Sequence, residues 1–230
     1  MRNLVIITSI IDTPNKELSY SSVRSVFSRK ERFNQTKKTI KSIRDKILNA
    51  KILIIECSKF EEKDKKEYEY LKNNSDYFYN LWDMKELHEM IFGKSKSLGE
   101  GIMTIEAIRY IIRNKLEFDN YYKISGRYYI NDNFKYDKLE NKKSVFFKDK
   151  NHNIINTTLY KLRRDKLILL HDFLIKNYDK MCRCIGYEDI MMLFTNEIND
   201  DNCKIIEGAI YTSGLVSVDG TKFNIDIKGI

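Results

Sequence analysis

The chain has 230 residues, 42% of them apolar, with 41 basic and 33 acidic side chains that leave a formal charge of +8. Such a chain can bury one sizeable core. With a single proline and no linker-like stretch, residues 1–230 are expected to form one domain. The charge favours an anionic partner, and no run approaches the ~20 apolar residues of a membrane span.

Leu4 to Ile11 is a short β-branched run. It predicts a strand buried on both faces rather than a secretory signal, for which it is too short. A polar loop follows from Asp12 to about Arg29, and then Ile40, Ile43 and Ile47 predict a helix over Thr36 to Leu48. Lys51 to Cys57 reads as the next buried strand, Phe60 to Asn73 as a charged helix and Asp76 to Leu81 as a shorter strand. This β-α-β-α-β order predicts an α/β fold with a mainly parallel central sheet flanked by helices. Lys94 to Gly101 is expected to be a loop that leads into a helix ending near Asn114. A strand at Tyr121 to Ile124 and an apolar run at Tyr128 to Ile130 come next. Beyond them, Ser144 to Phe147 and Asn156 to Leu162 predict strands. Arg164 to Tyr178 and Tyr187 to Glu197 predict helices. Ile205 to Ile227 alternates like β structure, with a turn at Val218 to Thr221.

Chemistry concentrates in four places. Ser125-Gly126-Arg127 ends the Tyr121 strand. There, a guanidinium suits a phosphate or a carboxylate, and Gly126 permits close approach. The alternative is a loop arginine paired with an aspartate. Lys94 to Gly101 combines Lys94, Lys96 and Gly99 ahead of a helix, whose first N–H groups attract anions. Its alternative is a surface loop capped by Ser97. The loop after the first strand carries Asp12, Arg24, Arg29 and Arg32, where a base and ribose would sit; it reads equally as a solvated basic loop. Glu188-Asp189 opens an apolar helix, either as a cap or as a source of a general base. Cys57, Cys182, Cys184 and Cys203, like His88, His152 and His171, lack metal-ligand spacing, and the thiols are expected to be reduced in a cytosolic setting.

The order of these features resembles the GT-A glycosyltransferases, Rossmann-like enzymes that use nucleotide-sugar donors, over about residues 3 to 195. The string Lys123-Ile-Ser-Gly-Arg-Tyr128 is also similar to small glycosyltransferase-like proteins of bacteria and large DNA viruses. The resemblance implies transfer of a sugar from a nucleotide-diphosphate sugar to the hydroxyl of a glycan or glycoconjugate. It implies that Thr8, Ser9 and Asp12 line the nucleotide pocket. Lys94, Lys96 and Arg127 would hold the diphosphate beside Gly99, Ser125 and Gly126. Asp189 would serve as base, with Glu188 second. Ser125-Gly126-Arg127 stands where the family carries Asp-x-Asp, so no metal ligand is assigned and no cofactor is required; manganese or magnesium stays open. A cytoplasmic location is expected, in the host if the chain is viral, with peripheral membrane contact left open. The rival readings are a nucleotidyltransferase or other nucleotide-binding α/β enzyme, a basic nucleic-acid binder, and a GT-A fold without activity.

Overall fold

Runs of valine and isoleucine supply the centre of the molecule. The computed structural model describes residues 1–139, 142–149, 154–198, 201–208, 211–216 and 223–224. In it, strand β1 (Asn3–Ser9) is buried along its whole length, and β2 (Ala50–Glu56) is buried except at Lys51. With β3 (Tyr77–Asn80) and β4 (Asn120–Ser125) they form a parallel array in the order β3-β2-β1-β4. The runs Leu4 to Ile11, Lys51 to Cys57 and Tyr121 to Ile124 thus supply neighbouring parallel strands, with Thr8 opposite both Ile55 and Ser125.

Beyond β4 the sheet turns mixed. Strand β5 (Tyr128–Ile130) leaves it, while β6 (Ser144–Lys148), β7 (Ile155–Arg163) and β8 (Cys203–Glu207) complete seven strands in the order β3-β2-β1-β4-β7-β6-β8. β7 runs antiparallel to both its neighbours. A smaller antiparallel sheet joins β5 to β9 (Thr212–Val216) and β10 (Phe223–Asn224). The turn expected at Val218 to Thr221 lies outside the described residues, as does His152.

Successive residues of a strand face opposite ways, and β1 divides its side chains between two cores. Leu4 and Ile6 pack on one face, Val5 and Ile7 on the other. Helix α1 (Arg29–Lys46) lies on the second face through Ile40 and Ile43. It starts at Arg29, well before Thr36, because Ser28 and Glu31 form a reciprocal capping box that stops the helix unravelling there. α2 (Lys65–Asn73) adds Leu71 to the same face.

The first face carries α3 (Lys85–Ile91), α4 (Lys96–Arg113), α6 (Arg164–Lys176) and α8 (Tyr187–Glu197), while α5 (Tyr136–Leu139) and α7 (Tyr178–Cys182) are short connectors. The seven residues of α3 are too few for a periodic signal. The expected loop from Lys94 to Gly101 is instead the beginning of α4: Ser95, not Ser97, caps it by accepting from Leu98 N at 3.1 Å. Gly99 and Gly101 lie inside that helix, where a side chain at Gly99 would meet the Ile91 carbonyl and one at Gly101 the Met181 sulfur. No helix among the described residues is long and apolar enough to cross a membrane.

Candidate active site

The chain fills the sheet from β1 towards β3 on one side, then crosses to β4 on the other. The sheet order therefore reverses between β1 and β4, the place where open α/β sheets leave a crevice at their carboxyl ends. The crevice is lined by Thr8 and Ser9 from β1, Thr13, Leu18 and Arg24 from the following loop, Arg32 and Thr36 from α1, Lys96, Gly99 and Glu100 from α4, and Ser125, Gly126 and Arg127 at the end of β4. Its floor is tightly built. Gly126 N donates to Thr8 O at 2.9 Å, and Thr36 Oγ1 lies 3.2 Å from both Ser9 Oγ and the Gly126 carbonyl oxygen. A Cβ on Gly126 would press on Ser9 and Thr36, so the close approach that this glycine permits is between strand and helix.

Arg24, Arg32, Lys96 and Arg127 converge on this crevice, and among the described residues none of them forms an ion pair within 4 Å. Arg32 instead donates to the Ile10 carbonyl at 3.0 Å and to Ser25 Oγ at 3.1 Å, and Arg24 to the carbonyls of Ile91 and Gly93. Burial and then the charge of Arg127 push the Lys96 ammonium down to about 8, and the same causes lower Arg32. Cations that disfavour one another in a half-buried hollow form a site prepared for negative charge. The hydroxyl of Thr13 and Nε of Arg24 are buried there without a hydrogen-bond partner, as they would be if a ligand supplied one.

A second hollow adjoins the first. Tyr20, Ser97, Cys184, Gly186, Tyr187 and Glu188 line it, and Lys96 and Glu100 line both. Glu188 accepts from Thr157 Oγ1 at 3.2 Å. Its neighbour Asp189 is exposed, bends back towards Gly186 and does not line the hollow. The wall between α4 and α7 is fixed by Ser95, whose hydroxyl donates to the Met181 carbonyl while capping α4.

Of the residues picked from the sequence, Thr8, Ser9, Lys96, Gly99, Ser125, Gly126 and Arg127 share the crevice, and Glu188 stands in the adjoining hollow. Asp12 and Lys94 do not line either one. Asp12 is taken up by Arg29 at 2.9 Å, and Lys94 is exposed, its carbonyl accepting from Ser19 N at 3.0 Å. Glu100 escaped the sequence reading, although an acidic residue one turn after Lys96 on an apolar helix was a usable signal. So did Glu56, which ends β2 wholly buried and accepts from Ile11 N and Cys57 N, both at 3.1 Å, and from Ser58 Oγ. Burial raises its pKa against the pull of these donors. Of the carboxylates near the cations, Glu100 is paired with Lys123 and Glu188 accepts from Thr157, and among the described residues no group of three or more His, Cys, Asp or Glu side chains is placed to hold a metal ion.

No family model and no curated protein matches the chain. Solved structures do. TarS of S. aureus superposes with a TM-score of 0.51 at 12% identity over 94% of this chain, which spans only 37% of TarS. A glycosyltransferase involved in glycosylating the major capsid of PBCV-1 gives 0.50 at 8% identity, covering 90% of this chain and 82% of the other. A structure assigned as a nucleotide-diphospho-sugar transferase from Desulfovibrio desulfuricans G20 gives 0.50 at 10% identity, with 90% and 80% covered. The chain thus has the GT-A-type α/β fold, shared with glycosyltransferases from bacteria and a large DNA virus.

Proposed function

We propose that the protein transfers a sugar from a nucleotide-diphosphate sugar to an acceptor hydroxyl. The observation that carries this is the meeting of Arg24, Arg32, Lys96 and Arg127, all without carboxylate partners among the described residues, at the carboxyl ends of β1 and β4. Arg127 and Lys96 hold the diphosphate, Arg32 supports it from α1, and the nucleoside extends over Thr8, Ser9 and Thr13. Fixed cations replace the metal ion as the counter-charge for the departing diphosphate, so transfer proceeds without a divalent cation. The acceptor enters the adjoining hollow, where Glu188 takes the proton from its hydroxyl. Holding both substrates across Lys96 and Glu100 supplies proximity and orientation.

The test is a thermal-shift screen of the intact chain against UDP-, GDP-, CMP- and TDP-sugars, each with manganese and with EDTA. A ligand of the native state raises Tm by mass action. A shift for one nucleotide class that survives EDTA supports the reading. No shift for any donor, with steeply salt-dependent binding to DNA or RNA instead, would replace it with the nucleic-acid reading.

A further inference from the structure

Glu100 lies where the two hollows meet, and its carboxylate pairs with the ammonium of Lys123 from the middle of β4. The lysine side chain is 2% exposed and the glutamate 20%, so the carboxylate is the member that reaches the hollows. Tyr160 and Tyr187 enclose the ammonium, their ring centroids 5.9 and 5.6 Å away. A buried pair of this kind contributes little stability, since apolar side chains of similar volume generally do as well or better. Stability therefore does not explain a lysine between Tyr122 and Ile124 in a buried central strand. What the pair provides is a carboxylate kept ionised away from bulk water. Burial would raise the Glu100 pKa, but Lys123, then Lys96 and Arg127, outweigh it and hold the group below the ordinary carboxylate range.

A negative charge beside the cations weakens their hold on a diphosphate. It must act on something else, and the moiety next to the diphosphate of the donor is the sugar. We infer, on the donor reading proposed above, that Glu100 faces the anomeric carbon of the transferred sugar and stabilises the positive charge that grows there, with Lys123 as its positioning residue. As the bond from C1 to the diphosphate oxygen breaks, its electron pair leaves on the diphosphate. Positive charge spreads over C1 and the ring oxygen beside Glu100. The acceptor oxygen forms the new bond to C1, and its proton passes to Glu188. Glu100 stays ionised throughout and forms no covalent bond.

The probe is whichever of UDP-glucose, UDP-galactose, UDP-N-acetylglucosamine and GDP-mannose gives the largest thermal shift. The readouts are nucleoside diphosphate release to water without acceptor, and the affinity for free UDP or GDP. Because Glu100→Gln strands a buried ammonium, the neutral double variant Glu100→Gln/Lys123→Met, of similar volume, is measured beside it. Both should lower kcat for release by about 100-fold or more, the scale of losing one preorganised electrostatic group, while affinity for the free nucleotide stays level or tightens. Lys123→Met alone should move the acid limb of the kcat profile to higher pH. The groups facing Glu100 are Lys96 on its own helix, Lys123 and Arg127 from β4 and its end, Tyr128 on β5, Tyr160 on β7, Tyr187 and Glu188 on α8, and Tyr20 and Cys184 across the hollow. A folded double variant with kcat near wild type, or an acid limb that does not move in Lys123→Met, would make the pair merely structural and leave the donor reading standing. A wild-type protein that neither binds UDP or GDP nor releases either from the four donors would remove both.

Discussion

Ser9 and Gly126 close the ends of two strands so tightly that a methyl group on Gly126 would sit 3.1 Å from the Ser9 Cβ and equally near the Thr36 hydroxyl. Both neighbours belong to buried, hydrogen-bonded elements, so they cannot simply turn aside. Gly126→Ala should cost about 1–2 kcal/mol of stability, the scale of overpacking a filled site, and should weaken nucleotide binding by lifting the cleft floor. Urea denaturation and calorimetry check both. Full stability and unchanged affinity would show that the floor yields.

Arg127 extends from that floor into the crevice without a carboxylate partner among the described residues. Arg127→Ala should weaken UDP or GDP binding by about 1.5–3 kcal/mol, as expected for a hydrogen bond to a charged group. Arg127→Lys should recover only part of this, because an ammonium lacks the planar donor fork. Isothermal titration in EDTA measures both variants, and unchanged affinity in Arg127→Ala would place the diphosphate elsewhere.

Lys96 gives binding a pH signature. Its pKa of about 8 in the free protein lies below that of an ordinary lysine, because burial and Arg127 disfavour the charged form. A bound diphosphate favours that form and raises the pKa. Affinity should therefore be greatest below pH 8 and fall above it, with proton uptake on binding in the falling range. Titration in buffers of different ionisation enthalpy counts the protons. In Lys96→Met binding should be weaker and this uptake absent; uptake that persists would assign it to another group.

Glu188, rather than its exposed neighbour, lines the hollow in which the acceptor is proposed to sit. Glu188→Gln should lower transfer by ~100-fold or more with donor affinity retained, whereas Asp189→Asn should change turnover only slightly. Turnover with a working acceptor discriminates the two. The opposite ranking would return the role of base to Asp189.

Glu56 is predicted to hold the loop after β1 rather than to touch substrate. Glu56→Ala leaves two buried N–H groups and a hydroxyl without their acceptor, at a cost of about 3 kcal/mol. Glu56→Gln keeps a carbonyl oxygen in place and should cost far less. Equal losses in the two variants would mean that charge, not acceptance, matters there.

The sheet was legible because burial on both faces demands unbroken apolar runs, and Leu4 to Ile7 and Ile52 to Ile55 supply them. Ser125-Gly126-Arg127 was legible for a related reason: polar residues that end such a run mark the carboxyl end of a buried strand. The start of α4 was not, since Gly99 and Gly101 read as loop residues until the Ile91 carbonyl and Met181 sulfur that press on them are known. Arg24 is placed in the crevice by the Ile91 and Gly93 carbonyls and Arg32 by the Ile10 carbonyl, contacts that residue spacing does not reveal, and the pairing of Asp12 with Arg29 is equally hidden. Which of Glu188 and Asp189 faces the hollow depends on the rotational phase of α8, which the pattern of charges leaves open.

Ser95 grips the Met181 carbonyl with the same hydroxyl that caps α4, and Gly101 leaves room for the Met181 sulfur. From Met181 the chain runs directly into α8, which carries Glu188. Lys96, which lines both hollows, and Glu188, in the second, are thereby pinned to one joint. On the proposed function, an acceptor that pushes on α8 would strain this joint and be felt at Lys96, beyond the direct meeting of the two substrates at C1. By reciprocity, a bound donor would then change acceptor affinity by the same factor. Met181 lines neither hollow, yet it is the position where a smaller side chain would loosen that communication in both directions at once.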